Sequence, residues 1–575
     1  MDAHQQANNN RKFIPTSFTL SNWESVAPFY EDLKNRDITS LPELEKWLND
    51  RSELDAFVSE NVGWKYIKMN IDTTNEELSK DFHYFINEIE PKIAPINNEL
   101  NKKFVASPLL SQLDENTYKI YLRAIKKEME IFREENVPIQ TTLMENAQKY
   151  GAIVGSMTIN FNNKSLTLQQ ASNFLKENDR ALREEVYLTI SNRKITDKDK
   201  LNDLFSEMIT LRHKIAQNAG FENYRDYMFA ELGRFDYTPK DCFEFHESIA
   251  KEVVPVINDF DSERKNLLGV ETLKPWDKMV DPNGEQPLKP VASEEELIDK
   301  TITCFNKIHP YFGECMKTMK EIKHLDLSSK VGKAPGGFNY PLYETGVPFI
   351  FMNSVGSQRD VVTMIHEGGH AVHSFLTNEL SLTAFKEFPS EVAELASMSM
   401  ELISMDYWDV FYDNEAELKR AKKEQLQGVL NTLPWVATID KFQHLVYERP
   451  NHSHKEREQL WNILMDNFSS DLVDWSDCEE ERSYYWQKQL HLFEVPFYYI
   501  EYGMAQLGAI AVWRNYKQHP EKALNQYIEA LKLGYTKPIS EIYATAGIAF
   551  DFSQDYIKEL VDFVQLELGK LNKVN

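Results

Sequence analysis

Cysteine is scarce in this sequence, with four residues among 575. The cysteines have neither the density of a disulfide framework nor the paired spacing of a cysteine-based zinc ribbon. They are Cys242, Cys304, Cys315 and Cys478. We therefore expect no disulfide scaffold, which is typical of proteins from reducing compartments.

Long hydrophobic runs are also absent. No stretch of about 18 apolar residues occurs, so the sequence predicts no transmembrane helix. Residues 1–11 are polar and rich in Asn and Gln, without the apolar core of an export signal. On these grounds we expect a cytoplasmic protein.

Positive charge is in the minority. The chain has 64 Lys and Arg against 90 Asp and Glu, which gives a net charge of −26. Proteins that bind nucleic acid or anionic membranes present a basic face, so neither partner is expected. No obligate protein partner is evident from the sequence. The hydrophobic content of 42% is ordinary for a globular protein.

Helix signals recur along the chain. Residues 21–24, 40–43 and 73–76 have the pattern of capping boxes, which open amphipathic helices. A helical pattern also covers about residues 116–135. Residues 157–168 instead alternate like a short β-hairpin. These patterns predict a mainly α protein with little β structure.

One short stretch combines metal-binding and acid–base residues. His366, Glu367 and His370 form the pattern His-Glu-x-x-His. Four residues return an α-helix to nearly the same face, so both imidazoles can bind one zinc ion. Ser357 or Asp360 is suited to cap the start of this helix. The pattern predicts a zinc site in which Glu367 accepts a proton from water.

The segment before this motif departs from helix. Gly336 and Gly337 predict a flexible loop, and residues 347–352 predict a strand with a proline near its start. Because proline lacks an N–H group, we interpret this strand as the edge of a sheet. An edge can pair with an extended peptide, although an ordinary sheet edge explains the pattern equally well. If a peptide binds here, the glycines together with Phe349 and Phe351 contact it.

A catalytic zinc ion usually has three protein ligands. His373 shares the helix face but lies about 10.5 Å along the axis from His366, too far for metal–nitrogen bonds of about 2.1 Å. We expect His373 to adjoin the ligands or the substrate instead. A predicted downstream helix offers Glu391 and Glu394, between which spacing does not choose. Glu401 shares a face with Glu394, so that one can bind metal while the other positions a metal-binding histidine.

Three segments carry a resemblance to a known family. They are residues 332–338, 366–373 and 391–397. Taken together they resemble the thimet-oligopeptidase and oligoendopeptidase F family of zinc peptidases. The three segments in combination are far more specific to this family than any one of them alone. Weaker matches extend over most of the chain from about residue 170, whereas the first 110 or so residues carry little.

The resemblance implies a role for several residues and a fold. Glu394 would be the third ligand of one zinc ion per chain, and Glu367 would be the general base. The fold would be mainly α and two-lobed, with a deep central channel for short peptides and a small β-sheet beside the active-site helix. We divide the chain into an N-terminal helical region contributing to one lobe (1–195) and a catalytic domain (196–575).

The pair Gly368-Gly369 departs from the family pattern, which more often has a bulky residue before the glycine. A second glycine inside a helix costs about 1 kcal/mol relative to Ala. We interpret the pair as room for a close backbone approach or for substrate.

In this family, a His and Tyr residues of the C-terminal region face the zinc and stabilise the transition state. The matching block around residues 496–499 is clear but loose in register. We choose His491, Tyr498 and Tyr502 as catalytic residues, with Tyr499 as the alternative or as a substrate contact. Aromatic packing in the core is the competing interpretation.

The sequence thus predicts a zinc-dependent oligoendopeptidase that hydrolyses internal bonds of short peptides. A zinc exopeptidase, either an aminopeptidase or a carboxypeptidase, is the nearer alternative. The alternative from another class is a non-catalytic peptide-binding protein that retains the motif.

Overall fold

The computed structural model describes residues 11–573. Residues 1–10, which carry most of the prediction about an export signal, lie outside the described part. Two compact units are each assembled from three segments. The first unit comprises the chain up to Glu134, Leu288–Lys422 and Ala505–Phe550, and the second comprises Glu135–Pro287, Lys423–Met504 and the chain from Asp551. The predicted division of the chain into an N-terminal region (1–195) and a catalytic domain (196–575) stays a prediction.

The chain is mainly α-helical, as predicted. The helices before the active-site region are α1 (Trp23–Asn35), α2 (Leu41–Ile71), α3 (Glu76–Tyr84), α4 (Glu90–Val105), α5 (Glu115–Ile131), α6 (Val137–Gly155), α7 (Leu168–Ser172), α8 (Arg180–Thr196), α9 (Lys198–Asn218), α10 (Tyr224–Glu231), α11 (Pro239–Glu252), α12 (Val254–Leu268), α13 (Glu294–Ile308) and α14 (Pro310–Glu321). The later helices are α15 (Gln358–Leu376), α16 (Thr383–Lys386), α17 (Ser390–Ser404), α18 (Glu415–Glu448), α19 (His454–Phe468), α20 (Glu479–Ser483), α21 (His491–Glu494), α22 (Ile500–Gln518), α23 (Pro520–Lys532), α24 (Ile539–Thr545) and α25 (Gln554–Lys573).

Shorter helical turns connect several of these helices. A π-helical turn covers Phe85–Ile89, and 3-10 turns cover Leu110–Gln112, Glu134–Asn136, Asn173–Lys176, Pro275–Asp277, Met405–Val410 and Tyr485–Lys488. The strands are β1 (Thr158–Phe161), β2 (Lys164–Thr167), β3 (Leu325–Ser328), β4 (Phe338–Tyr340) and β5 (Phe349–Ser354).

The predicted capping boxes have mixed outcomes. The box at Ser40 is present, because its hydroxyl and the Glu43 carboxylate satisfy backbone N–H groups at the start of α2. Helix α1 is capped one residue later than predicted, by Asn22, whose partner is Ser25. Helix α3 is capped by the side chain of Asn75. In α1 and α3 the cap is therefore an Asn and not the predicted Ser or Thr. The side-chain oxygen of Asn accepts hydrogen bonds from backbone N–H groups equally well.

The predicted hairpin is present in the second unit. Strands β1 and β2 are antiparallel, with Phe161 opposite Lys164. Asn162 and Asn163 form the two-residue turn, both with positive φ of 50° and 59°. Asn tolerates this left-handed backbone better than most residues, which explains its use in such turns.

The prediction that residues 347–352 form an edge strand is wrong. Strand β5 is the central strand of a three-stranded sheet in the first unit, with the order β3-β5-β4. It pairs in parallel with β3 and antiparallel with β4. Pro348 precedes the strand, so its missing N–H group removes no bond from the ladder. Strand β4 is an edge instead.

The sheet packs on helix α2, and its strand β5 also contacts the helix that carries the zinc motif. Phe349 and Phe351 are buried and pack with Ile67 of helix α2. Phe338 of β4 stacks on Phe351 with ring centroids 4.8 Å apart. This apolar layer fixes the sheet beside α15, in agreement with the small sheet that the sequence predicted.

The second unit contains a buried ion pair in the part of the chain where the resemblance to the peptidase family is weaker. Arg183 of α8 and Asp277 are 2% and 0% exposed, and their charged groups lie 2.9 Å apart. Arg180 binds the same carboxylate at 2.8 Å. These bonds hold the 3-10 turn around Asp277 to helix α8.

Among the described residues, no helix has the length and apolarity that crossing a membrane would require.

Candidate active site

Helix α15 presents the motif residues in the predicted way. Ser357 caps its start and forms a capping box with Asp360, so both predicted capping residues take part. One side of the helix is buried in the first unit, including Ile365 and Val372. His366 and His370 lie together, with ring centroids 4.9 Å apart. The 3.6-residue repeat thus separates the buried apolar side from the imidazoles.

The two glycines of the motif allow close packing. A Cβ atom at Gly369 would lie 2.7 Å from Cα of Ser397 in helix α17, closer than real Cβ contacts. A Cβ atom at Gly368 would lie 2.8 Å from the ring of Phe305 in α13. Gly369 therefore lets α17 approach α15, and Gly368 makes room for an aromatic ring.

This approach brings a carboxylate to the two imidazoles. Oε2 of Glu394 lies 3.3 Å from Nε2 of His366 and 3.7 Å from Nε2 of His370. One ligand atom from each of the three residues lies within 4.8 Å of the other two. Two imidazole nitrogens and one carboxylate oxygen are the donor set of catalytic zinc sites that keep a position for water. The residues present therefore fit a zinc ion.

Charge and hydrogen bonding prepare these ligands. Burial acts to raise the pKa of Glu394, but the hydrogen bond and charge of His366 outweigh it and lower the pKa to about 2. On the other side of the same ring, Nδ1 of His366 lies 2.7 Å from Oε1 of Glu401. Because a carboxylate accepts, Nδ1 donates to Glu401. A metal ion that displaced the Nε2 proton, which faces Glu394, would then bind the Nε2 lone pair.

Glu367 follows His366 in the chain and is 7% exposed. Burial, opposed by the charge of His366, raises the pKa of its carboxyl group to about 7. The side chain of Asn339 in β4 donates to the backbone oxygen of Glu367 at 3.3 Å. Asn339 was not singled out in the sequence, because a lone Asn in a three-residue strand carries no recognisable pattern.

Two residues that the sequence offered as metal ligands or as neighbours of the site do not join the three converging side chains. Glu391 is 2% exposed, and its backbone oxygen accepts a bond from Tyr543 at 3.1 Å. It is not among the three residues whose ligand atoms converge. His373 is fully buried and stacks on Phe388 with ring centroids 3.6 Å apart. Its ring fills the interior, so we no longer interpret it as a substrate contact.

The other predicted substrate residues divide into two groups. Phe349 and Phe351 are 4% and 0% exposed in a strand that is paired on both sides, which leaves them a packing role. Gly336 and Gly337 are exposed. The backbone oxygen of Gly336 accepts a bond from Asn353 of β5 at 2.9 Å. The exposed glycine loop, unlike the two Phe residues, remains accessible to a peptide.

The second unit holds the predicted His and Tyr residues in one cluster. Nε2 of His491 lies 3.4 Å from the hydroxyl of Tyr502, and the side-chain amide of Gln489 lies 2.6 Å from its Nδ1. The ring of Tyr498 is 5.3 Å from that of Tyr502, and Tyr499 is 5.4 Å from it. Gln489 can only donate through its NH₂ group, so the His491 proton lies on Nε2, towards Tyr502.

Buried polar residues hold the turn that carries this cluster. Phe497 adopts a positive φ of 66°. Its N–H donates to the side chain of Gln443 at 2.6 Å, and its carbonyl oxygen accepts from Arg234. Arg234 also binds Glu501 at 2.8 Å. The sequence alone did not indicate Gln443 or Arg234, since they act over more than 50 positions of chain and share no motif with the tyrosines.

Profiles of two protein families match the sequence. "Peptidase family M3" matches residues 173–562, and "Peptidase M3 N-terminal domain" matches residues 13–132. The second match covers the N-terminal region, in which the sequence had shown little resemblance.

Individual proteins agree with these profiles. The chain is 22% identical to an "Oligoendopeptidase F homolog" of Borreliella burgdorferi, with 99% of each chain covered. It is 20% identical to "Oligopeptidase PepF" of Bacillus subtilis over 67% of this chain and 57% of that one. Among solved structures, PZ peptidase A with an inhibitor has a TM-score of 0.90 and 26% identity, with 98% of this chain and 100% of that chain covered.

Proposed function

The chain belongs to peptidase family M3, and from this premise we propose that it is a zinc oligoendopeptidase that cuts internal bonds of short peptides. The observation that carries the proposal is the convergence of His366, His370 and Glu394. As a metallo-oligopeptidase the protein has peptide substrates. The proposed parts are the identity of the metal at this site, with one zinc ion per chain bound there, and the position of the cut.

In the proposed reaction, His366, His370 and Glu394 hold the zinc ion. When bound, zinc polarises the scissile carbonyl group and makes water more acidic. Glu367 accepts the proton of the attacking water and passes it to the leaving amine. Glu401 keeps the His366 ring in its metal-binding tautomer through the bond to Nδ1.

We propose that the peptide binds along Gly336, Gly337 and strand β4. The predicted peptide-binding strand was residues 347–352, but the backbone groups of that strand are already paired within the sheet. We therefore assign the role to this segment instead. The bond from Asn339 to the backbone of Glu367 supports the proposal, because it ties β4 to the catalytic helix. A peptide in extended form can pair with the β4 backbone, as in other cases of strand addition.

We also propose that His491 and Tyr502 donate hydrogen bonds to the oxyanion of the transition state, as the family resemblance implies. The approach of Nε2 of His491 to the hydroxyl of Tyr502, at 3.4 Å, supports this role because it brings two groups that can donate hydrogen bonds together. Tyr498 is the second candidate donor. The cytoplasmic location is likewise a proposal, supported by four cysteines that are all free thiols.

An internally quenched peptide with both ends blocked separates the proposal from its alternatives. An endopeptidase cleaves it, whereas an aminopeptidase or a carboxypeptidase needs a free terminus. A chelator should abolish cleavage, and stoichiometric zinc should restore it. If the blocked peptide stays intact while the unblocked peptide is trimmed, the protein is an exopeptidase. If neither peptide is cut by the zinc-loaded protein, it is a peptide-binding protein.

A further inference from the structure

A second group of metal-binding side chains lies inside the second unit. Cys242 and His246 are four residues apart on α11, and Asp440 and His444 are four residues apart on α18. All four residues are 0% exposed. Each pair occupies one face of its helix one turn apart. The two helices bring Cys242, Asp440 and His444 together, and His246 lies beside Asp440.

The distances suit a single small cation. One ligand atom each from Cys242, Asp440 and His444 lies within 4.8 Å of the other two. Tetrahedral zinc, with bonds of about 2.0–2.3 Å, has ligand atoms about 3.3–3.8 Å apart. Small side-chain rotations therefore close the site without movement of the helices.

Hydrogen bonding leaves several of these buried atoms unsatisfied. Nε2 of His246 lies 2.8 Å from Oδ2 of Asp440. Within the described residues, Oδ1 of Asp440, Nδ1 of His246 and both ring nitrogens of His444 have no hydrogen-bond partner. Nε2 of His444 is 3.2 Å from Oδ2 of Asp440 but is not directed as a hydrogen bond. A buried polar atom without a partner destabilises the folded state, so a ligand that engages several such atoms is favoured.

The surroundings of the group are apolar. The rings of Phe243 and Phe497 lie 4.9 Å and 5.4 Å from that of His444. The imidazoles of His246 and His444 lie 2.8 Å and 3.2 Å from Oδ2 of Asp440. A buried carboxylate is costly without a compensating charge, and a divalent cation bound by one carboxylate and one thiolate gives a neutral site.

We infer that Cys242, Asp440 and His444 bind a structural zinc ion, which ties helix α11 to helix α18. His246 orients Asp440 through its hydrogen bond. A sulfur, a nitrogen and an oxygen donor favour zinc over magnesium or calcium, which prefer oxygen alone. The inference is independent of the proposed peptidase mechanism, whose metal ligands belong to the first unit.

Zinc analysis of the purified full-length protein tests the stoichiometry. We expect two zinc ions per chain in the native protein and one in Cys242→Ser. Cys478→Ser is the matched control, because Cys478 is also a buried thiol of the second unit and should leave both ions in place. Equal zinc content in the native protein and Cys242→Ser, or loss of an ion in Cys478→Ser as well, would overturn the inference.

Cobalt binding provides a second test, which can be made on the native protein and so does not require Cys242→Ser to fold. Metal-free native protein titrated with Co²⁺ should develop a sulfur-to-cobalt charge-transfer absorption, which the His366, His370 and Glu394 site lacks because it contains only nitrogen and oxygen donors. The absorption should vanish in Cys242→Ser and persist in Cys478→Ser. Its absence from native protein saturated with Co²⁺, or its loss in Cys478→Ser alone, would mean that the group binds no metal through Cys242.

Discussion

Nδ1 of His366 donates to Oε1 of Glu401 at 2.7 Å, and this bond determines which nitrogen of the ring is available to a metal. The other nitrogen, Nε2, lies 3.3 Å from Oε2 of Glu394. Glu394 and Glu401 are seven residues apart on α17, so one helix supplies both the third ligand and the carboxylate that orients the first.

The two carboxylates on α17 should differ in their effect on zinc. Glu394→Gln removes the charged ligand, and we expect the protein to lose its zinc at micromolar free metal. Glu401→Gln keeps the three ligands and should weaken zinc binding by about 10–100-fold. Competition with a chromophoric chelator measures both affinities. Equal losses in the two variants would contradict the distinct roles of the two residues.

Glu367→Gln should retain zinc but lower turnover by about 10²–10⁴-fold, because an amide does not accept the proton of the attacking water. Zinc content and kcat on a quenched peptide are the measurements. Glu379→Gln, at an exposed position after the same helix, is the control and should leave both unchanged. A Glu367→Gln variant with full turnover would rule out the general-base assignment.

Tyr502→Phe should lower kcat by about 10²–10³-fold with little change in KM or zinc content, if its hydroxyl stabilises the oxyanion. Tyr498→Phe and Tyr499→Phe, measured in parallel, show which of the three hydroxyl groups has this role. Tyr84→Phe alters a 42% exposed ring and serves as the control. Unchanged kcat in all three cluster variants would leave the cluster with a packing role.

Gly369→Ala should destabilise the protein by about 1–3 kcal/mol, because the new Cβ would lie 2.7 Å from the backbone of Ser397. Gly428→Ala is the matched control in helix α18, where nothing lies within 4 Å of the new Cβ. It should stabilise the protein by about 0.5–1 kcal/mol through the lower backbone entropy of Ala. Denaturant unfolding with chelator present measures both. The same sign for both variants would argue against close helix packing at Gly369.

His373 should make the protein acid-sensitive. Burial lowers the pKa of its imidazole from 6.5 to about 3. Above pH 6.5 the ring is neutral in both states and contributes no pH dependence. Below pH 6.5 the unfolded chain takes up a proton that the folded chain does not, so the free energy of unfolding falls by about 1.4 kcal/mol per pH unit down to about pH 3.

His373→Leu removes this contribution. Between pH 6 and pH 4.5 the native protein should lose about 2 kcal/mol more stability than the variant, in unfolding experiments with chelator present. His519→Gln, at an exposed histidine, should follow the native pH dependence. Parallel curves for the native protein and His373→Leu would show that this ring is protonated in the folded state.

The sequence predicted the helical part of the site because a helix repeats over short distances. His366, Glu367 and His370 are neighbours in the chain, and their common face follows from 3.6 residues per turn. The choice between Glu391 and Glu394 depended instead on how two helices pack. Gly369 determines that packing, yet its contact with Ser397 joins positions 28 residues apart. Only the resemblance to a family supplied Glu394 at that stage.

The sheet was harder to predict for a related reason. Strand β5 is recognisable from its own apolar residues, but its place in the sheet depends on β3 and β4, which have four and three residues. Strands this short carry no pattern of their own. The capping residues also show the limits of local signals, since Asn22 lies beside the predicted Ser21 and caps α1 in its place.

The last segment of the first unit, Ala505–Phe550, completes the packing around α17. The Tyr527 hydroxyl donates to the carbonyl oxygen of Ala396 at 2.7 Å, and Tyr543 donates to that of Glu391. A ribosome therefore makes the three candidate metal ligands well before it makes Tyr527 and Tyr543, which follow their bonding partners by 131 and 152 positions. We therefore expect helix α17 to reach its final position only after Tyr543 has been added to the chain.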